Sequence, residues 1–263
     1  MATFNAEHYW ESRLQAHYDL VGVGDISLSP TYNKWSYKVT RKILLRLCRK
    51  YSAGKTNKKV LDIGSGTGFV VSVWKELGKQ VTGIDISATA VKNLSQHYLH
   101  DAFLRCDVGS ETLPLPQGSI AVCSAASVLY HLVDDNALHK ALTNIHNVLE
   151  RDGVFIFSEN FIHKNTFITT HQKCRTLEDY EKALTDCGFI IVDRVPNYVL
   201  MNEPMDAKGK TVSRIWNLLT ALSKKSQLLD KLIWPMVYPL ELLLTSVMKE
   251  SPAQEFMICK AVK

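Results

Sequence analysis

The chain has 263 residues, 46% of them hydrophobic, and 31 Lys and Arg against 26 Asp and Glu give a formal charge of +5. That length suits one large domain or two small ones and can bury a sizeable core; nothing demands a second domain, so residues 1–263 are read as one. The positive charge falls largely on residues 38–59, with nine basic residues and no acidic one, which reads as a solvated helix face rather than a nucleic-acid surface because no RNA-binding motif accompanies it.

The six cysteines, Cys48, Cys106, Cys123, Cys174, Cys187 and Cys259, are widely spaced, with no CxxC pair and no neighbouring histidine at metal-ligand spacing. They read as buried free thiols, and no metal site is expected. The first residues, MATFNAEHYWESR, are polar and contain no apolar signal core. Together these features point to a cytoplasmic, reducing environment.

In chain order, residues 1–36 are rich in aromatics: Phe4, Tyr9, Trp10, Tyr18, Tyr32 and Trp35. They either bury area against the body of the domain or form a lid over a ligand. Residues 38–51 read as a helix with Val39, Ile43, Leu44 and Leu47 on one face. An apolar run containing Asp62 then leads into a loop with Gly64, Gly66 and Gly68, a helix-like segment follows, and a second apolar run ends in Asp85. Helices are expected near 88–98, 134–149 and 177–187, and strands near 102–106, 120–124, 153–158 and 190–194. Residues 255–262, EFMICKAV, read as a short last strand. Strands alternating with helices argue for a parallel, doubly wound α/β sheet.

The strand, glycine loop, helix and strand with an acid at its tip form a nucleoside-cofactor unit. Glycines allow close backbone approach, the helix start offers free amides, and the second acid can hold two ribose hydroxyls. A nicotinamide turn uses GxGxxG, whereas the spacing here is GxGxG, and an acid ahead of the first glycine suits a cationic ammonium or sulfonium group.

VLDIGSGTGF (60–69) with GIDIS (83–87) resembles motif I and the second-strand acid of the class I S-adenosylmethionine-dependent methyltransferases. The resemblance covers residues 60–194. It implies a Rossmann-like, doubly wound seven-stranded sheet, mostly parallel with an antiparallel last strand and helices on both faces. Residues 1–58 would be an aromatic, helical cap, 59–194 the cofactor core and 253–263 the terminal strand. The resemblance also implies S-adenosylmethionine held by Asp62, Gly64, Ser65, Gly66 and Gly68 at the methionine end, with Asp85 on the ribose and Ile86 beside the adenine. Cys106, Asp107 and Val108 resemble the family's adenine motif, with a turn or cap acid as the other reading of Asp107.

The segment SIAVCSAASVLYHLVDDN (119–136) resembles the fourth-strand motif, with Ala125 on the cofactor side. Ala121 and Ser127 stand where many relatives carry acids, which argues against a metal-dependent or amino-acceptor mechanism. His131 is a candidate base or positioning group, and His163 and His171 offer alternatives in the loop after strand five. The arrangement is similar to tailoring enzymes of secondary metabolism and implies O-methylation of a small-molecule hydroxyl. N-methylation of an amine, or a cofactor-binding cyclase or partner subunit, is the alternative.

Residues 195–252 depart most from a minimal methyltransferase. They read as a helical cover over the acceptor pocket, with a dimer surface or peripheral membrane contact as the other readings. The charge-free run 232–240 is too short to span a bilayer, and Pro235 and Pro239 are expected to break any continuous helix there.

Overall fold

A computed structural model describes residues 4–55 and 59–263. Three helices come first: α1 (Ala6–Ala16), α2 (Leu20–Val23) and α3 (Pro30–Ser52). The alternating region contains β1 (Lys59–Ile63), α4 (Phe69–Glu76), β2 (Gln80–Asp85), α5 (Ala88–His97), β3 (Ala102–Arg105) and β4 (Ile120–Ala126). It continues through α6 (Asp135–Val148), β5 (Leu149–Glu159), a small hairpin of β6 (Phe167–Ile168) and β7 (Lys173–Cys174), α7 (Leu177–Asp186) and β8 (Phe189–Tyr198). Two further helices, α8 (Lys210–Lys225) and α9 (Gln227–Val247), precede β9 (Gln254–Ala261).

Seven strands form one sheet in the order β3-β2-β1-β4-β5-β9-β8. Strands β1 to β5 pair in parallel, and β9 runs antiparallel between β5 and β8. The order reverses between β1 and β4, and a crevice at the carboxyl ends of strands flanking such a reversal is where ligands bind in open α/β sheets.

Side-chain alternation gives the sheet two buried faces. Phe155 and Phe157 of β5 and Met257 and Cys259 of β9 pack with α6 and α7, whereas Val154, Ile156, Phe256 and Ile258 pack with α3 and α4. The period of two in these strands meets the helical stripes Leu138, Leu142 and Ile145 on one side and Val39, Ile43 and Leu47 on the other. All six cysteines are buried and free.

Two local expectations are corrected. Helix α3 begins at Pro30, eight residues before the apolar periodicity becomes visible: the Ser29 hydroxyl accepts from the Tyr32 amide, and Pro30 occupies the first turn, where its missing N–H costs nothing. Helix α9 runs through Pro235 and Pro239. Their spacing of four puts both on one face, while Trp234, Glu241 and Thr245 anchor the buried face. That packing offsets the roughly 3 kcal/mol a proline costs inside a helix. The Trp234 ring meets Tyr32 at 4.8 Å, and Tyr238 meets Trp35 at 5.2 Å, so α9 lies along α3.

Candidate active site

A cavity of about 690 Å³ opens at the reversal point, bounded by the glycine loop, the ends of β2, β3 and β4, and the N-terminal helices. The loop after β1 is pinned to β2, because the Gly64 and Ser65 amides both donate to the Ile84 carbonyl, at 2.7 and 3.1 Å. Gly64 has φ +68°, and a Cβ there would stand 2.4 Å from Val128; Gly66 has φ +50°, with Val23 3.0 Å from the place of a Cβ. Only glycine combines these angles with that closeness of approach. Gly68 heads α4 and packs toward Leu94, and it does not line the cavity.

Asp85 ends β2 and is held by backbone alone: Oδ2 accepts from the Gly66 amide at 2.7 Å and Oδ1 from the Ser87 amide at 2.8 Å. Burial raises its pKa, against the pull of those N–H groups. Ile86, Cys106, Asp107 and Val108 line the same side. The Asp107 oxygens accept from the Gly109 amide at 2.9 Å and the Ser110 hydroxyl at 2.8 Å, so this acid also closes its own turn.

Besides Gly68, two further residues assigned to the cofactor from sequence lie off the cavity. The Asp62 side chain is fully buried behind the loop, where Oδ1 accepts from the Ser124 hydroxyl at 2.7 Å and Ser124 accepts from the Trp74 indole at 2.9 Å. Its Oδ2 has no partner, and burial pushes its pKa up to about 7. Ala125 faces the α6 side; Ala126 and Ser127 line the cavity instead, because β4 extends two residues beyond the expected end and alternation turns Ala125 away. Ser127 adopts φ +58°, held by bonds from its amide to Ser158 and by the Gln254 amide, 3.1 Å from its hydroxyl.

The histidines separate. His131 and His171 line the cavity, with rings 6.0 Å apart and stacked. The His131 Nδ1 lies 2.9 Å from the His171 carbonyl, which only accepts, so Nδ1 carries the proton and Nε2 keeps its lone pair. Burial holds the His131 pKa down at about 4. Histidine 163 is outside the cavity: His163 Nδ1 pairs with Asp206 at 2.6 Å on a half-exposed surface.

The aromatic N-terminus divides its duties. Tyr9 and Trp10 of α1 wall the cavity, Tyr9 against His171 at 5.2 Å and Trp10 edge-on to His131 at 4.8 Å, and the Tyr18 hydroxyl donates to the Gly66 carbonyl. Trp35 packs behind, on α9. Glu11 fastens this cap to α5: its carboxylate accepts from the Ser87 hydroxyl at 2.7 Å and the Thr89 hydroxyl at 2.6 Å. Partial burial opposes ionisation, but these bonds outweigh it and bring the pKa from 4.5 down to about 2. A carboxyl with a depressed folded-state pKa stabilises fully above its unfolded pKa and loses that contribution as pH falls. The stability difference between the protein and Glu11→Gln should therefore be constant above pH 4.5 and shrink toward pH 2; a difference independent of pH in acid titrations would refute the link.

Sequence reasoning missed the deeper wall, formed by Arg13, Tyr37, Tyr130, Asn160 and Gln254. Tyr130 sits beside His131 in VLYHL and was accessible to inspection; Asn160 and Gln254 carry no local signal. The Arg13 guanidinium lies 5.1 Å from the Trp10 ring and bonds the Gly24 carbonyl. The Asn160 side-chain oxygen, Oδ1, is buried without a partner. Helices α8 and α9 contribute no residue to the cavity; from 195–252 only Tyr198, Asn202, Glu203 and Met205 do. The expected helical cover is thus corrected: the two helices stack behind α3, drawn there by Trp234.

A glycine cradle and a strand-end carboxylate facing one crevice of a seven-stranded sheet define a nucleoside-cofactor protein of the Rossmann-like class. Residues 61–157 match the family model described as a methyltransferase domain. That match covers the cofactor-loop part of the sheet, and the fold around it is the one seen in S-adenosylmethionine-dependent methyltransferases. A malonyl-[acyl-carrier protein] O-methyltransferase of Serratia marcescens is 31% identical over 101 residues, 38% of this chain and 38% of that enzyme's length. A ubiquinone/menaquinone biosynthesis C-methyltransferase UbiE of Campylobacter jejuni is 23% identical over 151 residues, 50% of this chain and 60% of its own length. The matches thus span less than two thirds of these relatives. Among solved structures, the 1,6-didemethyltoxoflavin-N1-methyltransferase of Burkholderia thailandensis shares the fold, with TM-score 0.58 and 16% identity over 100% of this chain and 93% of that one.

Proposed function

We propose that this protein transfers the methyl group of S-adenosylmethionine to a hydroxyl of a small-molecule acceptor. The observation that carries the reading is the Asp85 carboxylate, fixed by the Gly66 and Ser87 amides, with its remaining lone pairs available to a vicinal diol in the cavity that the glycine loop also lines. The residues fit the cofactor. Gly64 and Gly66 leave room for the methionine end, Asp85 accepts from the ribose hydroxyls, and Ile86, Cys106 and Val108 offer an apolar slot for adenine beside Asp107.

When bound, the cofactor supplies an electrophilic methyl group on a sulfonium. The protein aligns the acceptor in line with it and excludes water. Tyr9 and Trp10 close the cavity from the cap, and Ser127, Tyr130 and Asn160 give polar contacts on the deeper wall. The unpaired Asn160 oxygen calls for a donor, which an acceptor hydroxyl supplies. Arg13 already occupies the Trp10 face, which disfavours a cationic amine and with it the N-methylation alternative.

At neutral pH His131 is uncharged and can accept an acceptor proton through Nε2. A pKa near 4 makes it a weak base, better suited to orienting the hydroxyl. His131→Ala and His171→Ala should lower turnover with little change in cofactor affinity; full rate in both variants with a hydroxyl acceptor would remove these residues from the mechanism. The decisive experiment incubates the protein with labelled S-adenosylmethionine and phenolic, sugar and amine acceptors. Label in a hydroxyl acceptor, matched by S-adenosylhomocysteine, supports the proposal. Label in amines alone, or bound cofactor that no acceptor consumes, counts against it.

A further inference from the structure

Helix α9 carries apolar side chains on both of its faces, since Ile233, Val237, Tyr238 and Leu242 pack with Trp234 against the core. The residues it buries are Asp230, Trp234, Glu241 and Thr245, whereas Leu232, Met236, Leu240, Leu243 and Val247 are 47–73% exposed. Steps of four, four, three and four residues put these five side chains on one helix face, and Leu228 extends the stripe by a turn. The neighbouring α8 adds exposed Ile215 and Leu218. A contiguous apolar stripe of this length marks a surface that meets something other than water.

The charges around it indicate what. Lys210, Arg214, Lys224, Lys225, Lys231 and Lys249, on the two helices or just past them, are all exposed, and none forms an ion pair among the described residues. The two acids of the helices point inward. Asp230 accepts from the Ser29 and Ser223 hydroxyls and the Trp234 indole, and Glu241 accepts from the Val199, Leu200 and Met201 amides. Every charge that helices α8 and α9 themselves present to solvent is therefore positive, and Glu250, just past α9, is engaged by Arg194 and Lys208. A second copy bound through this face by two-fold symmetry would bring like charges together. An anionic lipid surface offers phosphates to the bases and an acyl boundary to the leucines. No helix of the described residues is long and apolar enough to cross a membrane.

We propose that the α8–α9 hairpin docks this protein on the surface of an anionic lipid bilayer, with the Leu232–Met236–Leu243 face at the headgroup–acyl boundary and the bases on lipid phosphates. This rests on the outward face of the hairpin and is independent of the reaction assigned to the cavity.

The test is co-sedimentation of the intact protein with phosphatidylcholine vesicles, alone or mixed with phosphatidylglycerol. Mixed vesicles should bind about tenfold more tightly or better, with the advantage shrinking in high salt. The pair Met236→Ser and Leu243→Ser, at exposed positions, should abolish most of that binding, and Lys224→Glu with Lys231→Glu should remove the anionic preference. Because all six native cysteines are buried, Met236→Cys can carry a polarity-sensitive dye, expected to shift to the blue on mixed vesicles. Equal binding to both vesicle types, binding to neither, or no dye shift overturns the proposal. So does a dimer in light scattering that the Met236→Ser and Leu243→Ser pair dissolves, which would assign the face to a second copy.

Discussion

Asp85→Ala is expected to weaken S-adenosylmethionine binding by about 1.5–3 kcal/mol, roughly 10- to 150-fold, the loss associated with charge-assisted hydrogen bonds. The carboxylate is 7% exposed and its orientation is set by two backbone amides. Its removal takes two acceptors from the ribose and frees the Gly66 amide, which loosens the glycine loop at its centre. Calorimetry with S-adenosylmethionine and S-adenosylhomocysteine reads both losses. Asp85→Asn should fall between, since one amide oxygen survives. Unchanged affinity in Asp85→Ala would show that the ribose lies elsewhere and would undo the cofactor assignment.

The largest effect on stability is expected at a residue far from the cofactor loop. Glu241 of α9 is fully buried, and its carboxylate takes the amides of Val199, Leu200 and Met201 at 2.7, 2.8 and 3.1 Å. Burial raises its pKa while these N–H groups oppose the rise. Glu241→Ala leaves three buried donors unpaired, a loss of about 3–5 kcal/mol, or a fall in Tm of roughly 6–20 °C for a chain of this size. Glu241→Gln keeps one acceptor oxygen and should lose about half as much. Thermal and denaturant unfolding of both variants measure this. Because residues 199–201 lead directly to the Asn202, Glu203 and Met205 wall of the cavity, Glu241→Ala should also reduce acceptor affinity. A stability loss under about 1 kcal/mol would mean that water or a rearranged turn satisfies the three amides.

The β1, α4 and β2 unit was legible because everything that specifies it is local. Apolar runs set the strands, Gly64 and Gly66 supply the positive φ values, and Asp85 follows the second run directly. Backbone geometry carries that information within about 25 residues, so the loop and the acid occupy one crevice as their spacing requires. The antiparallel last strand that the resemblance implies is also present, β9 lying against β8 with Ile190 opposite Lys260. By contrast, Asp62 and Ala125 belong to the motifs yet face inward, because strand alternation and the Ser124 bond decide where their side chains point. Sequence proximity likewise grouped His163 with His171. Asp206, 43 residues away, draws His163 off to the surface.

The sequence by itself determined the fold class, the cofactor loop and its paired acid, since these depend on periodicity, glycine conformation and strand-end placement. Only the tertiary structure decided the rest. It joined Arg13, Tyr37, Tyr130, Asn160 and Gln254 into one wall, held α9 together across two prolines, and turned Leu232, Leu240 and Leu243 of that helix outward. Each of these depends on contacts between segments far apart in the chain, where packing and the satisfaction of buried polar groups override what any local stretch prefers.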